Sequence, residues 1–149
     1  MKKRIDEMKI IGNFINGKQV EPESKEKLNV DDPSTGEVIS EVVLSNKDDF
    51  TIVIESSKKA FEVWSKETPL RRSRILANYK KILEENKEKL ASLVCKEHGK
   101  TLEDAIGSVT RGIEVVEFAS GIPHLVKGEY SQNVGNGIDS WSVRQPLGI

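Results

Sequence analysis

Apolar positions recur along the chain with two different periods, and the change of period divides it. Up to Leu44 they come in short runs separated by turn chemistry. Ile10-Ile11-Gly12-Asn13-Phe14-Ile15 and Lys18-Gln19-Val20 flank Asn16-Gly17. That dipeptide predicts a two-residue hairpin turn, because both of its positions tolerate positive φ. Glu21 to Lys27 is charged and reads as a solvated loop. Leu28-Asn29-Val30 and Glu37 to Leu44 predict a second antiparallel pair. Between them Asp32-Pro33-Ser34-Thr35-Gly36 offers a proline to preset φ and a glycine to leave the turn. In the second strand Val38, Ser40 and Val42 alternate with Ile39, Glu41 and Val43. Both faces are largely apolar, which predicts cover on one side and partial cover on the other.

From Ser45 the period becomes helical. Ser45-x-x-Asp48 predicts a capping box opening the first helix, whose apolar face is Phe50, Val53, Ile54, Ser57, Ala60, Phe61 and Trp64. Thr68 followed by Pro69 predicts an N-cap with proline in the first helical position of a second helix. Its stripe is Leu70, Ile75, Leu76, Tyr79, Ile82 and Leu83. Leu90, Leu93 and Val94 mark a third helix closed by Gly99. Thr101 caps a fourth with the stripe Leu102, Ala105, Ile106, Val109, Ile113 and Val116, ended by Gly121 and Pro123. Gly128, Gly135, Asn136 and Gly137 punctuate the tail before a final strand that starts at Ser140 and runs into the apolar stretch Pro146-Leu147-Gly148-Ile149. Short antiparallel strands, four helices and a strand make an α+β order over this span. The strands are too few to cover four amphipathic helices, so something else is expected to pack on them.

Composition narrows the class. The 149 residues suffice for one domain with a core. The charge is balanced, with 23 basic against 24 acidic residues, so no basic face for nucleic acid is expected. The basic opening Met1-Lys2-Lys3-Arg4 is not followed by the apolar segment of a secretory signal. No apolar run reaches the roughly 18 residues of a membrane span. One cysteine, Cys95, leaves no internal disulfide and suits a reducing, cytoplasmic compartment.

Candidate chemistry is sparse. Cys95 and His98 stand three apart on one helix, within reach of each other. A nucleophilic cysteine needs a base and a group that orients the base, and no acid or amide is placed for that. The pair reads more simply as a half-buried thiol beside a histidine at a helix end, where a cation is favoured. His124 carries equally little, and one cysteine with two scattered histidines cannot make a zinc site. Gly135-Asn136-Gly137 lacks the third glycine and the following helix of a dinucleotide fingerprint and reads as a turn. The fourth helix holds the more informative feature. Arg111, Glu114, Val115 and Phe118 share a face distinct from the core stripe. Gly107 and Gly112 each cost that helix roughly 1 kcal/mol relative to alanine, which hints at a close approach to its backbone, a kink or neutral drift. From spacing alone, Arg111 is better read as a surface ion pair with Glu114, a commonplace on exposed helix faces.

Motifs through nearly the whole chain resemble the N-terminal region of the aldehyde dehydrogenase superfamily. Phe14-Ile15-Asn16-Gly17-Lys18 and Asp32-Pro33-Ser34-Thr35-Gly36-Glu37-Val38 are similar to its FINGxW and NPATGEV openings. Ala60-Phe61-x-x-Trp64, Arg71 to Leu76, and Glu97-x-Gly99-Lys100-Thr101 match further landmarks. Thr110 to Pro123 looks like the GRGIENVEFAAGAP stretch of the CoA-acylating methylmalonate-semialdehyde dehydrogenases, the most specific of these matches. Asp31-Asp32 departs from the usual Val-Asn, and Gln19-Val20 lacks the tryptophan.

The resemblance implies the N-terminal part only of an aldehyde dehydrogenase-like α/β fold. Residues 1–126 would form strands and helices beside an NAD-binding domain, and 127–149 the start of an oligomerisation arm. The whole enzyme would use NAD and CoA to convert a small semialdehyde into an acyl-CoA. The nucleophilic cysteine, the oxyanion asparagine and the cofactor-holding lysine and serine have no counterpart here. Within this stretch the resemblance implies no catalytic, cofactor-binding or metal residue, and an isolated chain that is inactive and binds neither cofactor. One residue is carried over: Arg111, as the fork that holds a substrate carboxylate. A non-catalytic module that self-associates or pairs with a complementary aldehyde dehydrogenase chain is the second reading, and an unrelated helical binding domain the third.

Overall fold

The computed structural model describes residues 8–149; the basic opening considered as a signal lies outside them. The first secondary structure departs from the expected single strand. β1 (Ile10–Ile11) and β2 (Asn13–Ile15) are separate elements. They part at Gly12, where a Cβ would stand 3.3 Å from the Val20 carbonyl oxygen. β2 pairs antiparallel with β3 (Lys18–Val20) as the Asn16-Gly17 turn predicts, with φ of 51° and 75° at the two turn residues. β1 instead runs parallel to β5 (Glu37–Val43), which also pairs antiparallel with β4 (Lys27–Asp32). The sheet order is therefore β1-β5-β4, mixed rather than wholly antiparallel. The β4–β5 turn closes as expected. Asp32 accepts from the Thr35 and Gly36 amides on its carbonyl and from the Ser34 amide on its carboxylate.

Burial along β5 does not alternate by face. It rises towards the C-terminal end, where Ser40 and Val43 are buried while Val38 stays open. A middle strand is covered where its neighbours overlap it, and β1 reaches only Glu41 and Val42.

The first helix, α1 (Lys47–Trp64), starts one residue later than the Ser45 reading. Asn46 is the N-cap, accepting from the Asp48 and Asp49 amides, and the Asp49 carboxylate reaches back to the Asn46 amide. Asn46 with an acid three residues on satisfies the reciprocal cap better than Ser45 with Asp48; Ser45 turns away and donates to Asn13 at 2.8 Å. Asp49 also accepts from the amides of Glu23 and Ser24. The segment read as a solvated loop is thus tied to the N-terminus of α1.

α2 (Pro69–Glu85), α3 (Lys87–His98) and α4 (Leu102–Ser120) begin and end largely as predicted. Thr68 and Thr101 accept from the Arg71 and Asp104 amides. α4 does not end the helical part. Gly121 turns the chain into a fifth helix, α5 (Ile122–Leu125), with Pro123 accommodated in its first turn. The tail is a hairpin of β6 (Tyr130–Gly135) and β7 (Ile138–Trp141) rather than one strand, and residues 142–149 hold no regular element. At its base the backbone of Gly128 lies against the Ser142 carbonyl so closely that a Cβ would collide with it.

α4 is the centre of the packing, with α2 and α3 against it and α3 against β4. Among the described residues Ala91, Ala105, Ile113 and Val43 are the buried apolar ones, and no large side chain is wholly enclosed. The stripe expected to be the core of α2 is half open at Leu70, Ile75, Tyr79 and Ile82, as are Phe50 and Trp64 of α1. The chain exposes 12414 Å², whereas a compact monomer of this mass exposes only about 7,600 Å². The helices are amphipathic as read, and the described residues leave much of their apolar surface uncovered.

Candidate functional site

The site is built where α3 hands over to α4. α3 stops because Gly99 adopts φ 75° and returns its amide to the Cys95 carbonyl at 2.8 Å. Gly99 also meets the β4–β5 turn, where a Cβ would sit 3.0 Å from Pro33 Cβ. Thr101 opens α4 at once, its hydroxyl donating to the Asp104 carboxylate at 3.1 Å. Lys100 is therefore held between a left-handed C-cap and an N-cap. Its stem runs along α4, and its ammonium donates to Ser108 Oγ at 2.9 Å.

Arg111 approaches the same oxygen from the other direction. One turn C-terminal to Ser108, it folds back along the helix and donates from Nη2 to Ser108 Oγ at 3.2 Å. Gly107 lies under this arm; a Cβ there would be 3.6 Å from Arg111 Nη1, an ordinary contact. The neighbour hinted at by the two glycines is thus, at Gly107, the guanidinium itself. At Gly112 nothing among the described residues comes within 4 Å of the Cβ position.

The surface ion pair with Glu114 does not form. Arg111 donates to Ser108, and among the described residues neither Arg111 nor Lys100 pairs with a carboxylate. Arg111, Glu114, Val115 and Phe118 do share an exposed face, with Val115 and Phe118 67% and 71% open. The opposite side of α4 borders an apolar hollow of about 460 Å³ between α2, α3 and α4, lined by Tyr79, Leu83, Val94 and Ile113 among others. On the α2 side Lys80 reaches Glu117 at 2.8 Å and Glu84 at 3.5 Å, and the Glu117 hydrogen bond holds the Lys80 ammonium above its ordinary value.

The other residues weighed for chemistry are not brought together. Cys95 is a half-buried free thiol and His98 is exposed, with no hydrogen bond between them among the described residues. His124 is exposed on α5. Gly135 and Gly137 bracket the β6–β7 turn, Gly137 with φ 73°, so this glycine pair is a hairpin turn as read. The contacts that sequence reasoning missed are those of Lys100 and Ser108 with Arg111. A serine three residues before an arginine on a helix was the available signal. The reach of Lys100 across eight positions had none.

The aldehyde dehydrogenase family profile matches residues 19–149. A malonate-semialdehyde dehydrogenase of Pseudomonas aeruginosa is 42% identical over 142 residues, which is 95% of this chain and 28% of that protein. One from Bacillus thuringiensis is 45% identical over 143 residues, 96% of this chain and 29% of that protein. Among solved structures, a protein assigned as a methylmalonate-semialdehyde dehydrogenase from Sinorhizobium meliloti, complexed with NAD, superposes with a TM-score of 0.91 at 42% identity. The match covers 96% of this chain and 29% of that one. The methylmalonate-semialdehyde dehydrogenase of Oceanimonas doudoroffii gives 0.88 at 42%, over 94% and 28%. The chain spans less than a third of the length of the relatives it matches.

Proposed function

The chain belongs to the aldehyde dehydrogenase family, and from that premise we propose that it is the N-terminal part of an NAD-dependent, CoA-acylating malonate- or methylmalonate-semialdehyde dehydrogenase. Identities of 42–45% to malonate-semialdehyde dehydrogenases across 95–96% of the chain support this substrate class. The observation that carries the reading is Arg111, a guanidinium on an open helix face with no carboxylate partner among the described residues. Its remaining N–H groups suit the carboxylate of a short semialdehyde, whose two oxygens accept the planar fork. Arg111 then holds the acid end while the aldehyde is presented to groups beyond these residues.

The chain's own residues do not fit a dinucleotide. The one junction where a strand of the three-stranded sheet leads into a helix, from β5 to α1, carries Leu44, Ser45 and Asn46 in place of a glycine turn. Its helix N-terminus, where a pyrophosphate would sit, is already occupied: the Asn46 side chain accepts from the Asp48 and Asp49 amides, and the Asp49 carboxylate from the Asn46 amide. The isolated chain is proposed to be inactive. Residues 1–126 would pack beside the cofactor domain and 127–149 would begin the oligomerisation arm of a cytoplasmic enzyme acting on a small semialdehyde. The exposed apolar faces of α1 and α2 also support a second reading, a non-catalytic chain that self-associates or pairs with a complementary aldehyde dehydrogenase chain.

The test is Arg111→Leu in a complete polypeptide that carries this chain as its first part. Loss of a charge-assisted pair predicts a fall of about a hundredfold in kcat/KM for malonate semialdehyde, with propanal little affected. Equal losses on both aldehydes overturn the assignment.

A further inference from the structure

We propose that Lys100 and Ser108 complete, with Arg111, a two-cation receptor for a carboxylate, in which Ser108 positions the guanidinium and Lys100 supplies a second positive charge. This rests on the reading of Arg111 as substrate-binding and extends it to two residues with no assigned role.

Two cationic side chains converge on one neutral oxygen, with the Lys100 ammonium and Arg111 Nη2 at 2.9 and 3.2 Å from Ser108 Oγ. A serine hydroxyl has two lone pairs and one proton. Both lone pairs are engaged by cations, so Ser108 acts here as an acceptor that fixes where each positive group stands. Like charges this close repel, and the repulsion is relieved when an anion lies between them. Among the described residues Lys100 and Arg111 meet no carboxylate, and both meet the same hydroxyl. Glu97 and Glu103, each three residues from Lys100, make no pair with it among the described residues. Asp104 is held by the Thr101 hydroxyl, and Glu114 makes no pair with Arg111.

The backbone that carries Lys100 is fixed on both sides. Lys100 is pinned by the Gly99 C-cap on one side and the Thr101 N-cap on the other, and is only partly exposed. Ser108 lies between the buried Ala105 side of α4 and the open Arg111 side and is itself half-buried. Of the five N–H groups of Arg111 and the three of Lys100, one each is engaged by Ser108, and the rest are available. The arrangement offers a planar fork and a point charge to one carboxylate, the chemistry of the acid end of a short semialdehyde.

The experiment uses the full chain, with propionate as the probe and propionamide as its neutral counterpart, followed by NMR of the Arg111 guanidinium and Lys100 ammonium. Propionate is expected to shift both groups saturably, and propionamide neither. Lys100→Met and Ser108→Ala each weaken propionate by about fivefold, the upper range for a partly exposed charge contact. Lys100→Arg keeps the charge and restores affinity to within about twofold. Unchanged affinity in both Lys100→Met and Ser108→Ala, with Arg111→Leu abolishing binding, overturns this inference and leaves Arg111 standing. Unchanged binding in Arg111→Leu defeats the Arg111 reading itself. Absence of propionate binding by the parent chain overturns the receptor and leaves Arg111 to the enzyme assay. Far-UV circular dichroism checks the fold of each variant. Where Lys100→Met unfolds, a folded Lys100→Arg decides: retained affinity supports the receptor, and lost affinity overturns it.

Discussion

Helices α1 and α4 are nearly equal in length, 18 and 19 residues, and both open on a side-chain cap and carry an apolar stripe at helical spacing. Only α4 is packed. α2 and α3 lie against it, and Ala105 and Ile113 are 0% and 6% exposed. On α1, Phe50 stays 61% exposed and Trp64 40%, and the only buried residue is the acid Asp49. One helix is held by apolar contact along its length and the other by hydrogen bonds at one end. Periodicity states that a face needs cover; it does not state what supplies the cover.

The largest test of that difference removes core from each helix in turn. Ile113→Ala is expected to lower the stability of the chain by about 2–4 kcal/mol, because the methylenes are lost from a site that collapses only partly. Phe50→Ser should change it by less than about 0.5 kcal/mol, as for other open positions. Denaturant midpoints measure both, and similar losses would mean that α1 is packed after all.

The polar clamp is tested by acid. The Asp49 carboxyl is held below its ordinary value of 3.8, first by the Asn46 amide, then by those of Glu23 and Ser24, against the opposing effect of burial. A folded-state pKa below the unfolded one contributes stability that is present above the unfolded value and lost as pH falls through the folded one. Below pH 3.8, therefore, amide protection in α1 and in the 21–26 loop should fall before that of α4. Asp49→Asn should remove this acid step. Hydrogen exchange against pH reads both, and simultaneous loss in the two helices would break the distinction.

The smallest effect lies in the apolar hollow beside α4, which Gly112 lines. Gly112→Ala meets nothing within 4 Å, so in this chain alone it should stabilise the helix by about 0.5–1 kcal/mol. If another chain covers that surface, the same methyl group should weaken association, read by sedimentation.

Much of the local structure was legible in the residues. Asn16-Gly17, Asp32 to Gly36, Thr68-Pro69, Gly99 and Thr101 each specify a turn or cap through φ preference or a hydrogen bond spanning a few positions. The misreadings follow from distance along the chain. β1 pairs with a strand some thirty residues on, and its parallel partner leaves no mark in a two-residue run. Asn46 displaced Ser45 as the cap because the acid three positions after Asn46 also serves the distant amides of Glu23 and Ser24. The fifth helix was hidden because Gly121 and Pro123, which end one helix, also begin a short one. Arg111 stood out for its face and its resemblance, but its partners did not.

The sequence by itself determined the turns, the amphipathic helices, the caps of α2, α3 and α4, and the family, because these are encoded by neighbouring residues or by motifs. The tertiary structure decided which stripes are covered, to which strand β1 belongs, and that Lys100 and Arg111 meet on Ser108. Those outcomes depend on packing energies and on side-chain reach between segments that no short window of sequence contains.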